Sequence, residues 1–263
     1  MVYSPFDFNE AVAQRREFAE EGLREGSPVV GVSHDAGILL LTVRKSQRKV
    51  FEIYDRLVFS AIGNQSDVEQ IRIGAIDVAH REGFERSPDD VTAQRLVGFS
   101  LSPPLKRLFG DQFSAPAVVR AVFGEMGRTP HDDVFYVLNY DGDFVQTTRF
   151  AAVAGSQAAE DRMLAELEGL GPDSTLNGAL TRALRAWAAG AYASRGRRSE
   201  EEPEEGSGED AFERQERIDA FLREQLGRAH VEVGVLERSV PRESKFRLLG
   251  DSDLQEVLRG LRD

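Results

Sequence analysis

Residues 23–43, LREGSPVVGVSHDAGILLLTV, decide how the rest of this chain is read. A charged helix end runs into Gly26-Ser27 and then into two apolar runs, PVVGVS and GILLLTV. Between them, His34-Asp35-Ala36-Gly37 carries the small and polar residues of a hairpin turn. GILLL is too apolar for a strand with one wet face, so the spacing predicts a strand covered on both sides.

Working outward, residues 7–25 read as a helix with Asp7 as cap and Glu10 as its capping-box partner. Phe8, Val12, Ala19 and Leu23 fall near one face, and Gly26 stops the helix. Two more strand signals follow the hairpin, VFEIYD and LVFSAIG. Residues 66–83 predict a helix capped by Ser66 and Glu69, with Val68, Ile71, Ala75, Ile76 and Ala79 as its apolar stripe. A second helix is expected from Ser87 and Pro88 to residue 110, kinked or broken at Pro103-Pro104.

Strands return as APAVVRAVFGEM, DVFYVLNY and FVQTTRFAAVAG, the last two joined through Asp141-Gly142. Two helices follow, over 157–169 and 174–194, the second with Leu176, Ala179, Leu180, Ala183, Leu184, Trp187, Ala191 and Tyr192 at helical spacing. RGRRSEEEPEEGSGED, residues 195–210, is a basic cluster followed by an acidic, Gly-, Pro- and Ser-containing run with little to bury, and reads as a linker. A further helix over 210–227, strands HVEVGVLERSV and KFRLL, and a short amphipathic helix over 252–262 complete the chain. Strands and helices come in blocks rather than in alternation, which favours an α+β sandwich in one domain, residues 1–263.

Composition narrows the function. The formal net charge of −12 repels phosphate backbones, so no nucleic acid is expected as partner. No apolar run approaches the ~20 residues of a membrane span, and MVYSPFDFNEAV lacks the form of a secretory signal. With no cysteines, disulfides, thiolate metal sites and a cysteine nucleophile are excluded. A cytoplasmic location is the expectation. His34, His80, His131 and His230 are scattered without ligand spacing, and neither a metal nor a cofactor is expected. Asp89-Asp90 and Asp132-Asp133 are adjacent pairs whose side chains diverge, so they read as caps and turns rather than acid/base dyads.

The chemistry left open lies at Gly26-Ser27. Cleavage after a glycine at the head of such a strand frees an α-amine and makes the new first residue a nucleophile. The freed amine has a pKa near 8 and serves as base. Such a nucleophile also needs a cation beside its hydroxyl, and usually an acid to hold that cation. Lys49, heading the third strand, supplies the cation, but Val43 stands where a carboxylate would be useful. The set is incomplete, and both readings remain: a self-processing N-terminal-nucleophile hydrolase with Ser27 as nucleophile, or an uncut chain.

Four segments resemble proteasome α-subunits of the bacterial, actinobacterial-like 20S type. They are EEGLREGSPVVGVSHDAGILLLTV (20–43), RKVFEIYDRLVFSAIGNQSDVEQIRIGAIDVAHREGF (48–84), SPDDVTAQRL (87–96) and VEVGVLERSVPRESKFRLLGDSDLQEVL (231–258). The resemblance implies the four-layer αββα sandwich of the N-terminal-nucleophile hydrolase fold, here preceded by a helix. It implies a non-catalytic subunit that stays uncut at the REGS junction, where related β-subunits begin with threonine and carry aspartate in place of Val43. The implied partners are neighbouring α-subunits in a homo-heptameric outer ring, proteasome β-subunits and a ring-shaped activator ATPase. By the same resemblance residues 1–7, including Ser4, Pro5, Phe6 and Asp7, form a gate tail without the Tyr-Asp-Arg motif of archaeal and eukaryotic members. Lys49 and Gly63 then belong to the pocket that receives the activator's terminal carboxylate. Residues 109–116, FGDQFSAP, fall where the family narrows its axial opening, and residues 196–228 form an acidic linker and extra-helix insertion. A ring protein that assembles without a β partner is the third reading.

Overall fold

A computed structural model describes residues 5–44, 46–171, 173–196 and 211–262. Helix α1 spans Pro5–Leu23, followed by strands β1 (Val29–His34), β2 (Gly37–Arg44), β3 (Val50–Tyr54) and β4 (Leu57–Gly63). Helices α2 (Gln65–Glu85) and α3 (Ser102–Gly110) precede β5 (Val119–Glu125), β6 (Val134–Leu138), β7 (Phe144–Thr148) and β8 (Phe150–Val153). Then come α4 (Gln157–Leu167), α5 (Leu176–Gly196), α6 (Ala211–Leu226), β9 (His230–Glu237), β10 (Phe246–Leu248) and α7 (Asp251–Arg262). No described helix is long and apolar enough to cross a membrane.

The strands form two antiparallel five-stranded sheets, ordered β10-β9-β2-β1-β8 and β3-β4-β5-β6-β7. The apolar run of β2 shows why they stack. Successive side chains of a strand point to opposite faces. Ile38 and Leu40 meet Val58, Val122 and Phe135 of the other sheet. Leu39, Leu41 and Val43 face the other way, onto Leu180, Leu184 and Trp187 of α5 and their neighbours in α4, α6 and α7. The second sheet carries α2, α3 and the segment between them on its outer face, through Phe59, Phe123, Ile71, Leu96 and Leu105. The result is the four-layer αββα sandwich. The 34–37 hairpin has the expected register, with His34 opposite Gly37.

Several local expectations are revised. Helix α1 starts at Pro5, not Asp7, so Pro5, Phe6 and Asp7 are helical and Asp7 is not the cap. Helix α2 is capped by Asn64, whose side chain accepts from Ser66 N at 3.1 Å, rather than by Ser66. Ser87 caps only a 3₁₀ turn, Pro88–Asp90. The following helix is capped instead by Thr92, whose hydroxyl accepts from Arg95 N at 3.3 Å, while Glu125 accepts from Ala93 N at 2.8 Å.

Pro103-Pro104 does not break that helix. Residues Arg95–Leu101 widen into a π-helical stretch, and Ser102 N donates to Val97 O. The prolines open α3 directly after this widened turn.

FVQTTRFAAVAG is not one strand. It divides at Arg149, which takes φ 68°, and β7 joins one sheet while β8 joins the other. The acidic linker expected over 195–210 lies outside the described residues beyond Gly196. The extra helix expected after it is α6, which packs on α5 through Ile218, Phe221 and Leu222.

Candidate functional site

The Gly26-Ser27 junction is packed, not exposed. Gly26 N donates to Leu23 O at 2.9 Å, closing the end of α1. A Cβ on Gly26 would stand 2.8 Å from Ile62 Cβ, so close packing explains this glycine without any cleavage. Ala19 and Leu23 are buried among Val29, Ile62 and Val118, and they seat α1 across one end of the sandwich.

The Ser27 hydroxyl is fully engaged. It donates to Val43 O at 2.6 Å and accepts from Trp187 Nε1–H at 3.1 Å. Thr42 Oγ1 lies 3.4 Å away and itself donates to Pro28 O at 2.7 Å. A hydroxyl whose proton lies on a backbone carbonyl is not aimed at a base. Lys49 does reach this corner, with Nζ 3.5 Å from Ser27 O. Burial pulls its ammonium below the ordinary lysine pKa, opposed by the nearby Glu232 carboxylate. Val43 is 4% exposed and belongs to the helix-facing core, so the acid position is filled by hydrocarbon.

The charge missing from Val43 stands elsewhere. Glu232, on β9 opposite Thr42, is 6% exposed. It accepts from Val50 N at 2.9 Å and from Lys49 N at 3.1 Å, and lies 2.6 Å from Arg44 Nε. Its carboxylate therefore fastens the β3 backbone and the end of β2, and acts on the Lys49 side chain through space. In HVEVGV the residue looks like the wet half of an alternating strand. The pattern does not show that this face meets a second sheet, and sequence reasoning missed it.

Lys49 lines an open cleft of about 480 Å³ with Arg24, Ser27, Arg44, Trp187, Arg195 and, from α6, Phe221. Phe221 stacks on Trp187, rings 6.2 Å apart and 15° from parallel. Gly63 is elsewhere. It adopts φ 128°, and a Cβ there would fall 2.0 Å from Val118 O. It lines a second cleft, of about 790 Å³, with Gln14, Phe18, Glu21 and Asn64. Within one chain the structure does not bring Lys49 and Gly63 into one pocket.

Of the expected gate residues, Pro5, Phe6 and Asp7 lie in α1 and Ser4 lies outside the described residues. The two members of the Asp132-Asp133 pair differ. Asp132 accepts from Thr129 N and hydroxyl at 3.1 and 2.8 Å, as the capping-box partner of Thr129. Asp133, fully buried, is more than a turn residue: it accepts from Ser33 Oγ at 2.6 Å and pairs with Arg238 at 2.9 Å. Among the described residues no group of three or more His, Cys, Asp or Glu is placed to hold a metal ion.

No family model matches the chain. Curated relatives do. It is 31% identical to the proteasome subunit alpha of Actinosynnema mirum over 238 residues, covering 90% of this chain and 80% of that one. It is 30% identical to the proteasome subunit alpha of Sanguibacter keddieii, over 90% of this chain and 81% of the relative. The corresponding protein of Streptomyces griseus is 29% identical over 251 residues, 95% of this chain and 82% of its own.

Proposed function

Because the chain belongs to the proteasome α-subunit family, we propose that it builds the homo-heptameric outer ring of a bacterial 20S proteasome in the cytoplasm. In that role it is non-catalytic: it stacks on a ring of proteasome β-subunits, restricts the passage of substrates and docks a ring-shaped activator ATPase. The observation that carries the non-catalytic part is the Ser27 corner. Its hydroxyl proton lies on Val43 O at 2.6 Å, the acid position is a buried valine, and α1 is packed onto the sandwich ahead of it.

Gating falls to the N-terminal end, Ser4 through Asp7, with Pro5–Asp7 acting as the first turn of α1. The segment after α3 supports a narrowing of the axial opening, because Phe113 at its tip is 96% exposed. Activator docking falls to Lys49. A half-buried ammonium at the floor of an open cleft suits a terminal carboxylate. Gly63 opens onto a different cleft of the same chain.

Native mass spectrometry of the chain, alone and mixed with its candidate β-subunit, tests this, together with a denatured intact mass. The expected result is a four-ring particle containing the full-length chain. A chain beginning at Ser27 that hydrolyses peptides by itself would instead make it a self-processing hydrolase. A ring that ignores the β-subunit would leave assembly without the protease.

A further inference from the structure

Arg15 ties the N-terminal helix to the loop that carries Phe113. Its Nε donates to Phe109 O at 2.7 Å, Nη1 to Ser114 O at 2.7 Å and Nη2 to Leu108 O at 2.8 Å. Two of these carbonyls end α3, where the helix dipole favours a cation, and Leu108 O also accepts from Asp111 N at 3.2 Å. The guanidinium also lies 5.8 Å from the Phe109 ring centroid.

A second tie runs in parallel. Tyr140 donates its hydroxyl to Glu20 Oε1 at 2.9 Å, and its ring lies 5.6 Å from that of Phe109. The loop is braced internally as well. Asp111 accepts from Phe113 N at 3.0 Å and from the Ser114 hydroxyl at 2.5 Å. The Ser114 hydroxyl, then the Phe113 amide, hold the Asp111 carboxyl below the usual carboxylate range. A fully exposed phenylalanine thus stands on a loop whose backbone is tied at both ends, not on a loose one.

We propose that Arg15 is a positioning residue: it locks the Phe113 loop to α1, so that any displacement of α1 moves Phe113 with it. This rests on the ring reading above, in which Phe113 faces the axial opening. The width of that opening is then set by where α1 sits, and an activator that shifts α1 also changes the aperture. Lysine is no substitute at this position. Its donors radiate from one nitrogen and do not span three carbonyls as a planar fork does.

The chain has no cysteine, so a nitroxide attached at Phe113→Cys reports on that site alone. Arg15→Met is expected to shorten the label's rotational correlation time several-fold, with Arg15→Lys in between. A control label at exposed Gln255→Cys on α7 stays unchanged. Equal mobility at residue 113 in all three backgrounds overturns the clamp, as does equal loosening of the control label. In the particle assembled with the β-subunit, Arg15→Met and Phe113→Ala should each raise turnover of an unfolded protein relative to a tetrapeptide, and the double variant no further. A rise in Phe113→Ala without one in Arg15→Met overturns the coupling alone. No rise in Phe113→Ala overturns the placement of this loop at the opening, and the label still judges the clamp.

Discussion

The Ser27 hydroxyl donates a hydrogen bond to the carbonyl of Val43, 2.6 Å away, in the corner where self-processing would have to generate a nucleophile. Restoring the acid by Val43→Asp should therefore not create a protease. The new carboxylate would enter a core of leucine, alanine and tryptophan, so a loss of about 2–4 kcal/mol in unfolding free energy is expected. Intact mass should show the full chain. A product beginning at Ser27 would contradict this account of the junction.

Glu232 holds the amides of Lys49 and Val50 and pairs with Arg44 and, at 3.9 Å, Arg48, so Glu232→Gln should loosen the β2–β3 connection. The loss of its ion pair with the part-exposed Arg44 is expected to cost about 1–3 kcal/mol. The Lys49 pKa should fall further, because Glu232 is the group that opposes the pull of burial. A Lys49 titration followed by NMR that stays in place would show that the coupling is absent.

The Asp133–Arg238 pair joins the 127–133 loop to the segment after β9, and Ser33 bonds the same carboxylate. Asp133→Ala leaves Gly127 N without its acceptor and Arg238 with only Gly127 O, and about 3–5 kcal/mol should be lost. Urea unfolding measures it. A change below ~1 kcal/mol would mean that solvent replaces the carboxylate easily.

His34 makes stability sensitive to mild acid. Burial holds its imidazole below the ordinary histidine pKa, although the Asp35 and Asp133 charges raise it; Arg238 adds to the lowering. The sign follows from proton uptake. As pH falls below about 6.5, the unfolded chain protonates first, so this part of the stability is present above that pH and lost on acidification through the folded value. His34→Leu should flatten the fall in Tm between pH 7.5 and 5.5 relative to the parent, in scans at about those two values. An equally steep fall in both would assign the effect to carboxylates instead.

Lys49→Ala should assemble normally yet respond less to the activator, by about tenfold in apparent affinity if a charge-assisted contact is lost. Peptide hydrolysis at increasing activator concentration reads this directly. Full stimulation of the variant would remove Lys49 from the docking site.

Much of the fold was legible in the chain itself. The Asp35-Ala36 turn, the doubly covered β2 and the block order of strands and helices all follow from local rules about turns and side-chain alternation. Helix limits were less legible. Asn64 outcompetes Ser66 as cap, and Thr92 outcompetes Ser87, because each stands where the chain leaves a strand or a turn with its side chain facing the free amides. In the corner itself, Ser27, Val43 and Lys49 could be assigned to strand ends from the sequence, whereas their meeting, and the part of Glu232, distant in sequence, could not.

The residue order by itself determined that this chain folds as a layered α+β sandwich and that an apolar residue, Val43, stands at the end of its second strand. Periodicity and residue type act locally, so they survive without coordinates. The tertiary structure alone decided that Arg149 sends β7 and β8 to different sheets, and that a π-helical stretch absorbs Pro103-Pro104. It also decided that Arg15 reaches the Phe113 loop and that Glu232 fastens β3. Those outcomes depend on which backbone groups packing leaves unpaired. That is a property of elements meeting across the fold, and no single stretch of sequence carries it.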